Sequence, residues 1–87
     1  MTTKEVAKDL IRVYVERGDT LKQIADGLLG VYCEDYSAHI GGYSKGKTIS
    51  KYQLCVARIG KEEIFEVFKL EEIFNEIKLE AKQPALF

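Results

Sequence analysis

Residues 52–70 read YQLCVARIGKEEIFEVFKL, and this stretch decides the fold. Tyr52 to Ile59 and Ile64 to Leu70 are rich in the β-branched and aromatic residues that suit a pleated, half-buried surface, and Gly60-Lys61 between them reads as a hairpin turn. An antiparallel pair follows, extended to a three-stranded meander if the chain enters the sheet near Ser37. Upstream, Val31 to Lys51 alternates Tyr32, Tyr36 and Tyr43 with polar residues and is broken by three glycines, which predicts a loop or irregular strand. The sequence leaves open whether residues 48–59 form strand or helix, because Ile49, Tyr52, Val56 and Ile59 could also share one helical face.

The flanks are helical. Thr2 with Glu5 fits a capping box, and Val6, Leu10, Ile11 and Tyr14 recur at helical spacing, which predicts a helix over about 3–17. Gly18 suits the residue after a helix, and Thr20 with Gln23 forms a second capping box for a helix over about 21–29. Arg17-Gly18-Asp19 also spells a cell-adhesion tripeptide, but helix punctuation accounts for it. At the other end, Leu70, Ile73, Phe74, Ile77 and Ala81 line one face, with Glu71 and Glu72 opening the helix and Lys78 and Lys82 closing it, an order that complements the helix dipole. The expected class is therefore α+β in the order ααβββα: two N-terminal helices, a small antiparallel sheet of two or three strands, and a C-terminal helix. Residues 1–82 are expected to form a single globular domain and 83–87 a tail.

Composition narrows the chemistry. With 87 residues, 46% hydrophobic and 31% charged, the chain has the make-up of one ordered domain. Thirteen basic against fourteen acidic residues leave a net charge of −1, so attraction to nucleic acid or an anionic surface must come from a local patch. Residues 44–61 supply one: Lys45, Lys47, Lys51, Arg58 and Lys61 without an acid, followed over 62–87 by seven Glu against three Lys. Cys33 and Cys55 allow at most one disulfide, and the start of the chain lacks a charged-then-apolar signal pattern, so a reducing cytoplasm is expected. No apolar run approaches the roughly 20 residues needed to cross a bilayer. His39 is the only histidine, and without a C-x-x-C pair it and the two cysteines predict neither a zinc site nor a nucleophilic triad; no metal or cofactor is expected. Glu63, Glu66, Glu72 and Glu76 read as solvated faces rather than a catalytic pair.

Three short strings resemble functional motifs. Residues 41–48, GGYSKGKT, match G-x-x-x-x-G-K-[ST] at every position and resemble the Walker A loop of P-loop nucleotidases. The resemblance implies a loop whose amides cradle phosphates, with Lys47 at the β and γ phosphates and Thr48 on magnesium. That chemistry requires an apolar strand before the loop and a helix after it, within a multi-stranded parallel sheet. The same segment also suits a nucleic-acid or phosphate-binding module, because Tyr43 and Tyr52 offer stacking surfaces among Lys45, Lys47 and Lys51, with Thr48 beside them. Residues 20–31, TLKQIADGLLGV, resemble the first helix and turn of helix-turn-helix DNA-binding domains, which implies a recognition helix immediately downstream. Residues 83–87, QPALF, resemble the peptide by which bacterial replication and repair proteins dock on the sliding clamp. By position, Gln83 would hydrogen-bond at the mouth of the clamp's groove and Leu86 and Phe87 would fill its apolar pocket. These strings, and the absence of a catalytic constellation, lead to the expectation of a small non-enzymatic binding or regulatory protein, of the kind bacteria and phages encode. It would act by docking on a macromolecule: a protein partner such as the sliding clamp, a nucleic acid through 41–52, or a second copy as a homodimer.

Overall fold

The computed structural model describes residues 2–27 and 30–82, which run α1 (Thr3–Glu16), α2 (Leu21–Gly27), β1 (Gly30–Cys33), β2 (Tyr36–Ser44), β3 (Lys47–Arg58), β4 (Lys61–Lys69) and α3 (Leu70–Lys82). Both capping boxes form. The Thr2 hydroxyl accepts the Glu5 N–H at 3.1 Å while the Glu5 carboxylate accepts the Thr2 N–H at 3.2 Å. Thr20 accepts the Gln23 N–H at 3.2 Å, and the Gln23 side chain accepts the Thr20 N–H at 2.8 Å. These bonds satisfy amides that the first helical turn leaves without partners. Arg17 closes α1 and ion-pairs with Asp19, so the tripeptide at 17–19 is helix punctuation.

The strands form one antiparallel sheet in the order β1-β2-β3-β4, every strand paired with its neighbour in sequence. The α+β class holds, with one strand more than expected and the order ααββββα. The additional strand is β1, which pairs from Gly30↔His39 to Cys33↔Tyr36 across the turn residues Glu34 and Asp35. Glu34 takes a left-handed φ of 52°, a conformation usually given to Gly or Asn, so the sequence carries no conventional turn signal there. The β3–β4 turn lies at Ile59-Gly60, closed by Arg58↔Lys61, one position before the expected Gly60-Lys61. The Ile59 N–H donates to the Asp35 carbonyl at 2.7 Å, tying the β1–β2 and β3–β4 turns together at one end of the sheet.

All three helices contribute to a single core with one face of the sheet. Val6, Ala7 and Ile11 of α1, Ile24 and Ala25 of α2, and Leu70, Ile73 and Ile77 of α3 meet Ala38, Ile40, Leu54 and Val56, with Val31 and Phe68 partly buried at the flanks. Each fully buried Leu or Ile stabilises the fold by roughly 1.5–3 kcal/mol relative to exposure. Ion pairs between α1 and α3 run beside this core: Lys4 with Glu76 at 2.9 Å, and Lys8 and Arg12 with Glu80. Among the described residues no helix is long and apolar enough to cross a membrane.

Candidate functional site

The segment that matches the phosphate-loop string is a bent hairpin. Ser44↔Lys47 is its last pair, and the two residues between, Lys45 and Gly46, have φ of 50° and 76°. Positive φ at both central positions is the type I′ pattern that matches the twist of a tight β-hairpin. Thr48 continues into β3, so the chain runs strand, turn, strand. The helix start that presents amides to phosphate in a Walker A loop is not built here, which corrects the structural expectation attached to Lys47 and Thr48 in that role. The same holds downstream of α2: the element that follows is strand β1 and not a recognition helix.

The tip does not continue in the plane of the sheet. Between Ile40↔Leu54 and Gly42↔Ile49 the ladder breaks, with Gly41 on β2 facing four residues, 50–53, on β3. Gly41 and Gly42 have consecutive φ of 70° and 89°, which L side chains avoid, and a Cβ on Gly41 would stand 3.7–3.9 Å from the backbone of Ile49 to Lys51. Beyond this kink the arm, residues 42–49, folds over the sheet face that no helix covers. Contacts among the described residues hold it there. The Ser44 hydroxyl hydrogen-bonds the Cys55 sulfur, the Lys45 ammonium stands 5.6 Å from the Phe65 ring centroid, and Ile49 is buried outside the continuous helix-side core.

Under the arm, Cys55 is 1% exposed and directly opposite His39. Burial pushes the Cys55 thiol upward, opposed by the Ser44 hydrogen bond and the Lys45 charge, so it rests as a protonated thiol. His39 Nδ1 lies 2.9 Å from the Gly41 carbonyl, which places the proton on Nδ1 and ties the imidazole to the kink. Cys33 sits at the other parity, level with Tyr36, on the helix side of the sheet; both cysteines are free. Among the described residues no group of three or more His, Cys, Asp or Glu could hold a metal ion.

The candidate residues divide. Tyr43 and Thr48 are a cross-strand pair on the outer side of the arm, Lys45 is in its turn, and Lys47 closes it. Tyr43 is 70% exposed, and Lys47 makes no ion pair among the described residues. Lys51 is drawn away: its ammonium bonds Asp26 of α2 at 2.6 Å, and Lys22 reaches the same carboxylate at 3.2 Å. The Lys51 bond, with help from Lys22, holds the Asp26 carboxyl below the usual range. Tyr52, half-exposed, has the Lys51 ammonium 5.9 Å from its ring. Gln83, Leu86 and Phe87 lie outside the described residues. A groove of about 370 Å³ between α1 and α3 is walled by Val15, Ile77 and Ala81, and its Arg12 and Glu80 are already paired with each other.

Sequence reasoning missed Tyr32, His39, Cys55 and Phe65 as a set, because they come together only through cross-strand register. Their shared signal is strand parity, which requires knowing where each strand begins. Comparison with protein-family models, curated proteins and solved structures returns no match to this chain.

Proposed function

We propose that this is a small docking protein that binds a single-stranded nucleic acid along the β2–β3 arm. The observation that carries the reading is an exposed tyrosine beside a tight turn that bears two lysines. At the arm, Lys45 and Lys47 flank a tight turn beside an exposed tyrosine, with no carboxylate on Lys47 among the described residues. A phosphodiester backbone supplies an anion for Lys47 and its bases a partner for the Tyr43 ring. The hairpin holds these groups on paired backbone, so little ordering entropy is lost on binding.

The test is fluorescence anisotropy with a labelled oligothymidylate over a range of salt. Tyr43→Ala removes one stacking surface, worth about 1–3 kcal/mol, and weakens binding roughly 5- to 150-fold. Lys47→Ala flattens the dependence of log K on log salt by about 0.7 for the lost phosphate contact. Binding that is independent of salt and of both substitutions refutes the proposal.

A further inference from the structure

We infer that the groove between α1 and α3 is a docking site for the chain's own residues 83–87, with Leu86 and Phe87 seated against Val15, Ile77 and Ala81. This seat is separate from the β2–β3 arm and holds whether or not the arm binds nucleic acid.

The groove lies where the described chain leaves α3. Lys4 pairs with Glu76 and Lys8 with Glu80, so α1 and α3 run parallel. Glu80 also takes Arg12, which sets it level with the middle of α1. Beyond that level α3 has only residues 81–82, whereas α1 continues past Arg12 through residues 13–16. The last turn of α1 therefore stands past the end of α3, and Val15 on that turn lines the groove together with Ile77 and Ala81. Four helical residues rise about 6 Å, while five residues of chain reach up to roughly 17 Å, so residues 83–87 are long enough to cross the groove. Pro84 disfavours helix at Gln83, which turns the chain aside from the α3 axis instead of prolonging it.

The chemistry of the two surfaces matches. The groove encloses about 370 Å³, Ile77 in its wall is only 3% exposed, and Val15 packs against the core. Arg12 and Glu80 are paired with each other, and Glu16 and Lys78 are exposed, so apolar side chains enter without stranding a charge. Residues 84–87, Pro-Ala-Leu-Phe, are uncharged and bring two large apolar side chains. Because the segment is tethered beside the groove, its effective concentration there is on the order of millimolar. A partner protein that takes Leu86 and Phe87 must compete with this seat.

Two measurements on the full chain test the seat. In an isotope-labelled sample, nuclear Overhauser contacts are expected from the Phe87 ring to the methyl groups of Val15, Ile77 and Ala81. A mixture of labelled and unlabelled chains, read only for contacts between the two, is expected to show none. Contacts that appear only between chains give the groove to a second copy and overturn the proposal. In urea titrations, Phe87→Ser is expected to raise the unfolding equilibrium constant about tenfold, as half-burial of one large apolar side chain requires. Destabilisation without contacts to those three methyl groups places the segment elsewhere and overturns the groove as its seat. An unchanged unfolding constant overturns the docking itself.

Discussion

Asp26 is where the structure restrains its own positive patch, and removing that restraint gives a quantitative test. Its carboxylate accepts Lys51 at 2.6 Å and Lys22 at 3.2 Å, so Lys51, which lies at the base of the arm in sequence and in space, is neutralised. Asp26→Asn keeps the side chain's shape and one acceptor oxygen but deletes the charge. These are exposed pairs, weak contributors to stability, so thermal unfolding should shift little. Binding should change in a defined way. With Lys45 and Lys47 on phosphates, log K falls with log salt at a slope of about −1.4, taking about 0.7 per contact on a single strand; Lys51 as a third contact steepens it to about −2.1. Between about 50 and about 200 mM salt the wild type then loses affinity about 7-fold and the variant about 18-fold, with the variant tighter at the low-salt end. Anisotropy titrations with oligothymidylate at several salt concentrations measure both slopes. Asp9→Asn on α1 is the control, since its partner Arg12 also pairs with Glu80 of α3; it changes the net charge equally and should leave the slope alone. An Asp26→Asn slope equal to that of wild type, or an equal steepening by Asp9→Asn, refutes the reasoning.

Two further outcomes concern the fold. Leu54 is fully buried in a central strand between Ile40 and Phe68, so Leu54→Ala should cost about 2–5 kcal/mol and lower the melting temperature by roughly 10–30 °C, whereas Leu79→Ala at an exposed site should stay within about 0.5 kcal/mol; a Leu54→Ala loss under about 1 kcal/mol would contradict the core assignment. The carboxyls of Glu80, held down first by Lys8, Asp26 by Lys51, Asp19 by Arg17 and Glu5 by the Thr2 N–H all titrate below their usual values. Their contribution is complete above the unfolded carboxylate range near 4 and disappears as pH falls through the depressed folded values, so the melting temperature should be level from neutral pH to about 5 and decline below about 4. A melting temperature that rises on acidification would show that these partners do not act in the folded state.

The helices were legible in the sequence because their signals are local. Thr2 with Glu5 and Thr20 with Gln23 need only three residues of context to form their reciprocal bonds, and the Leu70, Ile73 and Ile77 stripe is set by helical geometry alone. The sheet was partly legible: the β3–β4 hairpin shows in its strand formers, but β1 was hidden because Glu34 supplies a left-handed turn residue without a glycine. The irregular pattern of the arm has a related cause. Gly41, Gly42 and Gly46 mark departures from ordinary backbone, yet a phosphate loop and a kinked type I′ hairpin use glycine in the same spacing, and what separates them is the partner each residue finds across the chain. Lys51 shows the same limit, since its place in a basic run gives no hint that a carboxylate 25 positions earlier claims it. The helix-turn-helix likeness ends at a strand because Gly30 to Cys33 gains a ladder partner in β2 that a twelve-residue window does not contain.

The meander also determines how the molecule can assemble. Each strand meets the next across a two-residue turn, so the sheet closes through short loops whose entropic cost is small, and hairpins of this kind form in microseconds. The seam between the first and last helices is different: Lys8 and Glu80 stand 72 residues apart along the chain. That closure becomes inexpensive only after the sheet has shortened the path between them. The topology predicts that the sheet pairs first and that α1 and α3 clasp over it afterwards.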